Sequence, residues 1–383
     1  MKNEQTQKGI KTIFISLLLL ACIILSACTT GNVVSETKKE IRIGALLPLS
    51  GQMAYIGEYM QEGLDMAKEE INADGGVNGW PIEIIYEDTQ GDVKSAVSGY
   101  QNLAKLKDVH TFLITLSGVT LGVAPLSEKD KNILFTVGTV SPKISDAGDY
   151  VFRHSIMPND EITFIADFIY KKGYHNISII YVNTEGGVSY RDLFEKSFKK
   201  LGGEIGIEEP HEYGATDYKT NILKLKAANP AAVLVLSYAN EAGLILKQSK
   251  ELNFKPQWFA TNDVEGPKLI TVGGDAVNGM VISHYFSPDL SSMAKRYEQV
   301  YEAGYGKKSD PYAALIYDGL KALAEAMKKC KDPDNDTACI KDSLYKLKDY
   351  VGVTGSIVFD NNGDTHKIPI MKIVKDGEFV KYK

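Results

Sequence analysis

The sequence contains few of the residues from which catalytic and metal centres are built. Its 383 residues include only four cysteines and six histidines, and the histidines are scattered along the chain. Four common signatures are missing: a glycine-rich dinucleotide loop after the first strand, a P-loop, a GxSxG serine motif and an HExxH zinc motif. We therefore expect neither an enzyme nor a bound cofactor or metal.

The chain also lacks a concentration of positive charge. Its formal net charge is −6, and no basic run is interleaved with aromatic residues, which argues against nucleic acid as a partner. Hydrophobic residues make up 44% and charged residues 24%, as in ordinary globular proteins. Without its N-terminal apolar segment the chain is still too long for one hydrophobic core, so we predict two domains.

Only one apolar run stands out, over residues 12–28, and Lys2, Lys8 and Lys11 precede it. The run is shorter than the roughly 20 residues that a membrane-spanning helix needs. Basic residues, an apolar stretch and small residues in this order are typical of a secretory signal peptide. We predict a signal peptide over residues 1–27.

The end of this run, Leu25-Ser26-Ala27-Cys28, resembles the bacterial lipobox. The resemblance implies that Cys28 is diacylated and becomes the mature N-terminus. Residues 28–40 are then a lipidated flexible tether. Because two acyl chains bind membranes stably, we expect an exported protein anchored to the outer face of the cell membrane or facing the periplasm. The alternative is an uncleaved signal anchor with a buried cysteine.

Two further cysteines, Cys330 and Cys339, lie close together around the segment KDPDNDTA. In an exported protein such a pair is most simply a disulfide that closes a surface loop. Zinc would need two further ligands, which the neighbouring sequence does not offer.

From Ile41 onwards, buried strands alternate with helices. The segments IRIGALLPL, PIEIIYED, HTFLITLS and ILFTVG are predicted strands, and the rhythm starts again with NISIIYVN, AAVLVLSY, QWFATN and GMVISHYF. This alternation predicts two α/β units in series, each with a parallel sheet covered on both faces. The segment from Ser291 to about Tyr350 is predicted to be helical, and two short strands, GSIVFD and KIPIMKIV, close the chain. We expect this tail to cover the first two units.

The ends of the predicted strands carry hydroxyl groups, amides and glycines. In open parallel sheets, ligands bind beyond the carboxyl ends of the strands. This rule selects the following residues: Ser50, Gly51, Ser117, Gly118, Gly138, Thr139, Tyr238, Asn262 and Asp263. Backbone N–H groups at the following helix starts favour a carboxylate, so the set predicts a site for a small anion-bearing ligand.

Four segments of the chain resemble a known family: IRIGALLPLSGQMAYIG, INADGGVNGWPIEIIYEDTQGD, TLGVAP and GTVSPKIS. They are similar to the Leu/Ile/Val-binding family of type I periplasmic binding proteins, the extracytoplasmic receptors of branched-chain amino-acid ABC transporters. The resemblance implies a two-lobed α/β fold, in which each lobe is a three-layer domain with a parallel sheet and hinge crossovers join the lobes. Residues 41–157 plus 287–355 are expected to form lobe 1, and residues 158–286 plus 356–383 lobe 2.

The resemblance also implies how the ligand carboxylate is held. The family uses a serine after the third strand, and a threonine with backbone amides after the fourth. Ser117 falls on the serine position, and Val140 stands at the threonine position between Thr139 and Ser141. We also place Tyr55, in the first similar segment, among the ligand-binding residues.

The same resemblance suggests contacts to the rest of the ligand. The family's ammonium-binding glutamate corresponds to Asn262 or to the adjacent Asp263. Tyr238 and Tyr312 match aromatic positions, which as an alternative could simply pack the lobe interface. An expected tyrosine is replaced by Gly186, which predicts a larger pocket.

We therefore interpret the chain as a substrate-binding lipoprotein of an ABC importer that closes on a branched-chain or hydrophobic amino acid, or a related small carboxylate. Its expected partners are that ligand, the membrane subunits of an ABC permease, and the membrane through its lipid anchor. We expect a monomer. The alternative is an extracytoplasmic sensor that uses the same fold to report its ligand to a membrane signalling partner.

Overall fold

The computed structural model describes residues 39–348 and 350–383. The predicted signal peptide and the lipidation site at Cys28 lie outside the described residues. Glu40–Lys383 form one compact unit. Within the described part of the chain, no helix has both the length and the apolar character that a membrane crossing requires.

The first lobe is built on five parallel strands in the order β2-β1-β3-β4-β5. The strands are β1 (Ile41–Leu47), β2 (Ile82–Asp88), β3 (Thr111–Thr115), β4 (Ile133–Val137) and β5 (Val151–His154). The helices between them are α1 (Ala54–Ala73), α2 (Val93–Leu106) and α3 (Ser117–Asp130). Every residue of β3 and β4 is buried, because helices cover both faces of the sheet.

The second lobe repeats this plan with five parallel strands in the order β10-β9-β8-β6-β7. The strands are β6 (Asn176–Val182), β7 (Glu204–His211), β8 (Ala232–Leu236), β9 (Gln257–Ala260) and β10 (Val281–His284). The helices are α4 (Pro158–Lys171), α5 (Glu185–Lys200), α6 (Lys219–Ala228), α7 (Ala239–Glu251) and α8 (Pro267–Gly273). The two α/β units predicted from the sequence are therefore confirmed.

The helical tail, which was expected to cover both units, packs on the first lobe. It comprises α9 (Ser292–Tyr305), α10 (Pro311–Met327) and α11 (Thr337–Tyr345), followed by the short strands β11 (Tyr350–Gly352) and β12 (Gly355–Ile357). Apolar residues of these helices share one core with β1, β3, β4 and α1. The chain thus passes between the lobes three times: between β5 and α4, between β10 and α9, and between β12 and the last strands.

The last strands are β13 (Ile370–Lys375) and β14 (Glu378–Lys381), which add an antiparallel edge to the second sheet. The sequence pattern did not predict β14, because its residues are mostly exposed and carry no apolar run. The hairpin instead depends on its turn, in which Asp376 and Gly377 have φ angles of 51° and 78°. Both angles are positive, as a tight type I′ turn requires.

Side-chain caps and a disulfide stabilise helix ends in the first lobe. Asp92 accepts a hydrogen bond from Ser95 N at 2.9 Å and begins α2, as its position before the helix suggests. Asp310 caps α10 in the same way through Ala313 N at 2.9 Å. A disulfide joins Cys330, just after α10, to Cys339 in the first turn of α11.

Candidate functional site

The hydroxyl of Ser117 organises the loop that follows β4. Ser117 is the first residue of α3, directly after the turn that ends β3. The backbone N–H groups of Val140 and Ser141 donate to Ser117 Oγ over 3.0 and 3.1 Å. The two strand ends that the sequence singled out are therefore joined by hydrogen bonds. Because the Ser117 oxygen accepts both bonds, its own proton is available for an acceptor in the cleft.

Gly138 and Tyr312, two other predicted site residues, lie against each other. A Cβ atom at Gly138 would stand only 2.9 Å from Tyr312 Cε1, and the φ angle of Gly138 is +65°. Both conditions require glycine at this position. Because Gly138 has no side chain, the Tyr312 ring can pack against the end of β4. It lies there beside residues 138–141, the loop that is bonded to Ser117 and that we call the Ser117 loop.

Thr139 and Ser141 point in different directions. The Thr139 side chain is fully buried and its hydroxyl pairs with the Thr136 hydroxyl at 3.3 Å, inside the first lobe. Ser141 Oγ instead donates to Glu185 Oε1 at 3.0 Å, and Lys143 Nζ lies 3.0 Å from the same oxygen. Because Glu185 begins α5 of the second lobe, these contacts cross the cleft.

Gly186 does not leave the open space that the sequence suggested. A Cβ atom at this glycine would lie 3.1 Å from Val140 Cγ2 and 3.7 Å from Ser117 Oγ. Its neighbour Glu185 lies against Gly118 in the first turn of α3. Because Gly186 has no side chain, the start of α5 packs directly against the Ser117 loop. The two lobes are therefore in close contact at this edge of the cleft.

Asn262 is held inside the second lobe by a buried carboxylate. Its backbone N–H and its side-chain Nδ2 donate to the two oxygens of Glu161, over 2.9 and 2.7 Å. Ser283 Oγ and the Tyr190 hydroxyl donate to the same carboxylate. Glu161 is fully buried, and burial raises its pKa although these hydrogen bonds oppose the change. The Asn262 amide therefore positions Glu161 and the start of the following loop.

Asp263 is the predicted anion that reaches the cleft. Its Oδ1 accepts a hydrogen bond from the Tyr312 hydroxyl at 3.1 Å. Burial and the negative charge of Glu161 raise the pKa of Asp263 to about 7, while the Tyr312 hydrogen bond lowers it. No cation of the described residues pairs with this carboxylate. Asp263 can therefore meet an ammonium group supplied from outside the chain.

Aromatic rings from both lobes wall the rest of the cleft. Tyr238, at the start of α7, meets Tyr213 edge to face with a centroid distance of 5.6 Å. Both rings pack against apolar residues of the first lobe. Tyr55, in the first turn of α1, has a buried hydroxyl without a hydrogen-bond partner in the part of the chain that the structure describes. Pocket lining and lobe packing thus coincide in these rings, as their position at the interface requires.

Three residues that lie between the lobes were not predicted from the sequence: Glu185, Tyr213 and Glu241. Glu185 follows β6 by three residues, Tyr213 follows β7 by two, and Glu241 lies in the first turn of the helix after β8. The strand-end rule would have selected them if it had been applied to every strand of the second lobe and extended into the next helical turn. Among the described residues, no cluster of histidine, cysteine, aspartate and glutamate has the arrangement of a metal site.

Comparisons with known proteins agree with this fold. Residues 40–378 match the family model described as periplasmic binding protein. A relative, "Leu/Ile/Val-binding protein homolog 7" of Brucella abortus (strain 2308), is 27% identical over 366 residues, which cover 89% of this chain and 90% of the relative.

Two solved structures share the whole fold. The leucine binding protein LivK from Thermotoga maritima is 25% identical with a TM-score of 0.83, and the match covers 90% of this chain and 98% of that one. LivJ from Streptococcus pneumoniae, a branched-chain amino acid transporter substrate binding protein solved with isoleucine, is 27% identical with a TM-score of 0.82, covering 89% and 98%. These relatives are binding proteins and not enzymes. Since the family model spans nearly the whole described chain, the protein belongs to the periplasmic binding protein family.

Proposed function

We propose that this protein is the extracytoplasmic substrate-binding component of an ABC importer. It binds a branched-chain or other hydrophobic amino acid, or a related small carboxylate, between its two lobes. The names of its relatives support the class of transporter, and the cleft supports the class of ligand. The observation that carries the proposal is the Ser117 hydroxyl, held by two backbone amides at a helix start that faces the second lobe.

The ligand carboxylate binds at the start of α3. The first intrahelical hydrogen bond there is donated by Thr120 N to Leu116 O, so the N–H groups of Gly118 and Val119 are among those without an intrahelical acceptor. These groups and the helix dipole favour an anion. Ser117 adds a hydroxyl proton, and a hydrogen bond from it to a carboxylate is charge-assisted and correspondingly strong.

An amino group of the ligand binds at Asp263, on the opposite lobe. Asp263 is a carboxylate whose ionisation is opposed by burial and by Glu161, so a nearby ammonium ion would lower its pKa and bind tightly. The Tyr238 and Tyr312 rings then enclose the apolar part of the ligand. Carboxylate and ammonium groups are in this way held by different lobes, and a single ligand stabilises the closed arrangement.

The lipid anchor and the permease complete the proposal. Acylation at Cys28 would keep the protein near the membrane, where an ABC permease could receive the ligand. Metabolic labelling with a fatty-acid probe should label the wild-type protein and not Cys28→Ala. Equal labelling of both would contradict the anchor and leave the binding function untouched.

Titration calorimetry tests the binding function directly. We expect at least one of L-leucine, L-isoleucine, L-valine and isocaproate to bind the wild-type protein. Ser117→Ala should weaken that binding by about ten- to a hundredfold, because a hydrogen bond to a charged group contributes roughly 1.5–3 kcal/mol. Ser98→Ala, an exposed serine on α2, serves as the matched control and should leave the affinity unchanged. Unchanged affinity in Ser117→Ala would exclude the proposed anchor.

A further inference from the structure

Three buried polar atoms in the cleft remain outside the contacts described so far. Tyr55 Oη, Tyr213 Oη and Glu241 Oε2 each have almost no solvent exposure and no hydrogen-bond partner within the described residues. Tyr55 belongs to the first lobe, whereas Tyr213 and Glu241 belong to the second. A group that contacts all three atoms therefore has to lie between the lobes.

Several contacts place these side chains in one region. Burial and, after it, the charge of Glu241 raise the pKa of both Tyr55 and Tyr213. Gly214, the residue after Tyr213, donates its N–H to Glu241 Oε1 at 3.2 Å. The side chain of Gln52, from the first lobe, is in close contact with Gly214. One oxygen of Glu241 thus accepts a hydrogen bond from the loop, while the other has no partner among the described residues.

The environment of Glu241 does not suit a carboxylate without a partner. The residue is 2% exposed, and burial raises its pKa. No lysine, arginine or histidine of the described chain acts on it. Buried polar groups are ordinarily hydrogen-bonded, and an unpaired carboxylate oxygen is among the most unfavourable exceptions. An entirely aliphatic ligand side chain would leave all three atoms unpaired when the lobes close.

We infer that Tyr55, Tyr213 and Glu241 form a second polar binding site in the cleft, which accepts a hydrogen-bond-donating group of the ligand. This group is a hydroxyl or an amine, distinct from the carboxylate at Ser117 and from the ammonium at Asp263. The inference rests on the proposed function and narrows its ligand class to small carboxylates that carry an additional donor. Because the site draws on both lobes, the donor is bound only in the closed form.

Matched ligands test the inference by calorimetry. One series is L-norvaline, δ-hydroxy-L-norvaline and L-ornithine, which share a carbon chain and end in a methyl, a hydroxyl and an amine. A second series is benzoate, para-hydroxybenzoate and para-(aminomethyl)benzoate. We expect a donor-bearing member of at least one series to bind about tenfold or more tightly than its apolar counterpart. Whether the hydroxyl or the amine compound binds best identifies the donor.

Conservative variants assign the preference to the three residues. Tyr55→Phe, Tyr213→Phe and Glu241→Gln each keep the size of the side chain, and the glutamine retains an oxygen for Gly214 N–H. Each should reduce the ratio between donor-bearing and apolar affinities toward one. Tyr170→Phe, on the far side of the second lobe, is the control and should leave the ratio unchanged. Melting temperatures of all variants establish that they are folded.

Two outcomes would overturn the inference. The first is equal or tighter binding of the apolar members, and the second is a ratio that survives in both Tyr213→Phe and Glu241→Gln. Either result, with norvaline or benzoate still weakened by Ser117→Ala, would leave the proposed function intact and assign the three atoms to bound water. Failure of every carboxylate probe to bind would count against both the inference and the proposed function.

Discussion

The Tyr312 hydroxyl donates a hydrogen bond to Asp263 Oδ1 at 3.1 Å, and this bond joins the two lobes. Tyr312 lies in the first turn of α10 in the first lobe, and Asp263 follows β9 in the second. The structure is therefore closed at this point. In the proposed function, a ligand that binds Asp263 would also contact the tyrosine that joins the lobes.

Asp263 should discriminate ligands that carry an amino group from those that do not. Asp263→Asn removes the negative charge and keeps a hydrogen-bond acceptor for Tyr312. We expect L-leucine to bind this variant at least about tenfold more weakly than the wild type, since a charged hydrogen bond is lost. Isocaproate, which is leucine without its amine, should be nearly unaffected. Equal weakening of both compounds in a calorimetric titration would show that Asp263 acts on closure instead of on the amine.

The affinity for amine-bearing ligands should depend on pH through the same residue. Burial and the negative charge of Glu161 raise the pKa of Asp263 to about 7. As the pH falls from 8 to 6 the carboxylate becomes protonated and loses its attraction for an ammonium ion. We therefore expect the L-leucine affinity to fall by roughly tenfold over this range. Asp263→Asn should bind leucine weakly with little pH dependence, and a similar pH profile in both proteins would contradict the assignment.

The unliganded protein should be stabilised by the same substitution. Burial and Glu161 raise the pKa of Asp263 from 3.8 to about 7, so the folded state holds the proton more tightly than the unfolded state. Stability from this group is present at low pH and is lost as the pH rises from about 4 through 7. At pH 8 we expect the free energy of unfolding of Asp263→Asn to be about 1–2 kcal/mol higher than that of the wild type. This range allows for the partial exposure of the Asp263 side chain. Urea denaturation at pH 4 and pH 8 measures the difference, which should disappear at the lower pH.

Glu185 should stabilise the closed arrangement of the two lobes. It accepts a hydrogen bond from Ser141 and pairs with Lys143, both on the first lobe. Glu185→Gln removes the ion pair but can still accept from Ser141, whereas Glu185→Ala loses both contacts. Because the pair is partly exposed, we expect ligand dissociation to accelerate about two- to fivefold in Glu185→Ala and less in Glu185→Gln. If stopped-flow measurements gave the wild-type ligand dissociation rate in both variants, this role of Glu185 would be excluded.

A buried ion pair at one passage between the lobes should be important for stability. Arg153 Nε donates to Asp364 Oδ1 at 2.7 Å, and both side chains are almost completely buried. Asp364→Asn leaves the guanidinium charge without its partner, so we expect the free energy of unfolding to fall by about 3–5 kcal/mol. Glu378→Ala breaks the exposed pair with Lys308 and is the control, with an expected loss below about 1 kcal/mol. Similar losses in both variants, measured by urea denaturation, would refute the special role of the buried pair.

The disulfide between Cys330 and Cys339 should contribute modestly to stability. Its sequence separation is 9 residues, and closing a loop of that length stabilises by about 2–3 kcal/mol in the chain-entropy model. The double substitution of both cysteines by serine should lower the free energy of unfolding by this amount. In the native, unreduced protein neither cysteine should react with an alkylating reagent. Alkylation of both cysteines would exclude the disulfide.

Much of the architecture was predictable from the sequence because burial leaves a local pattern. Strands such as Thr111–Thr115 and Ile133–Val137 are mostly apolar and buried at every residue, as expected of a sheet covered on both faces. Ser117 and Gly138 could be predicted to lie close together because the carboxyl ends of parallel strands meet at one edge of a sheet. Strand β14 was missed because it is exposed, and only its turn signals the hairpin.

Tertiary structure alone decided which partners the candidate side chains have. Asn262 and Asp263 are adjacent in the sequence, yet the first is bound by Glu161, 101 residues earlier, and the second by Tyr312, 49 residues later. Gly186 indicated extra space, but the other lobe fills it. Tyr55, Tyr213 and Glu241 form no motif, because their proximity arises only when two separately folded lobes meet. Local patterns of burial thus determined the two sheets and the edges at which their candidate residues lie, whereas long-range hydrogen bonding and the contact between the lobes determined which groups those residues meet.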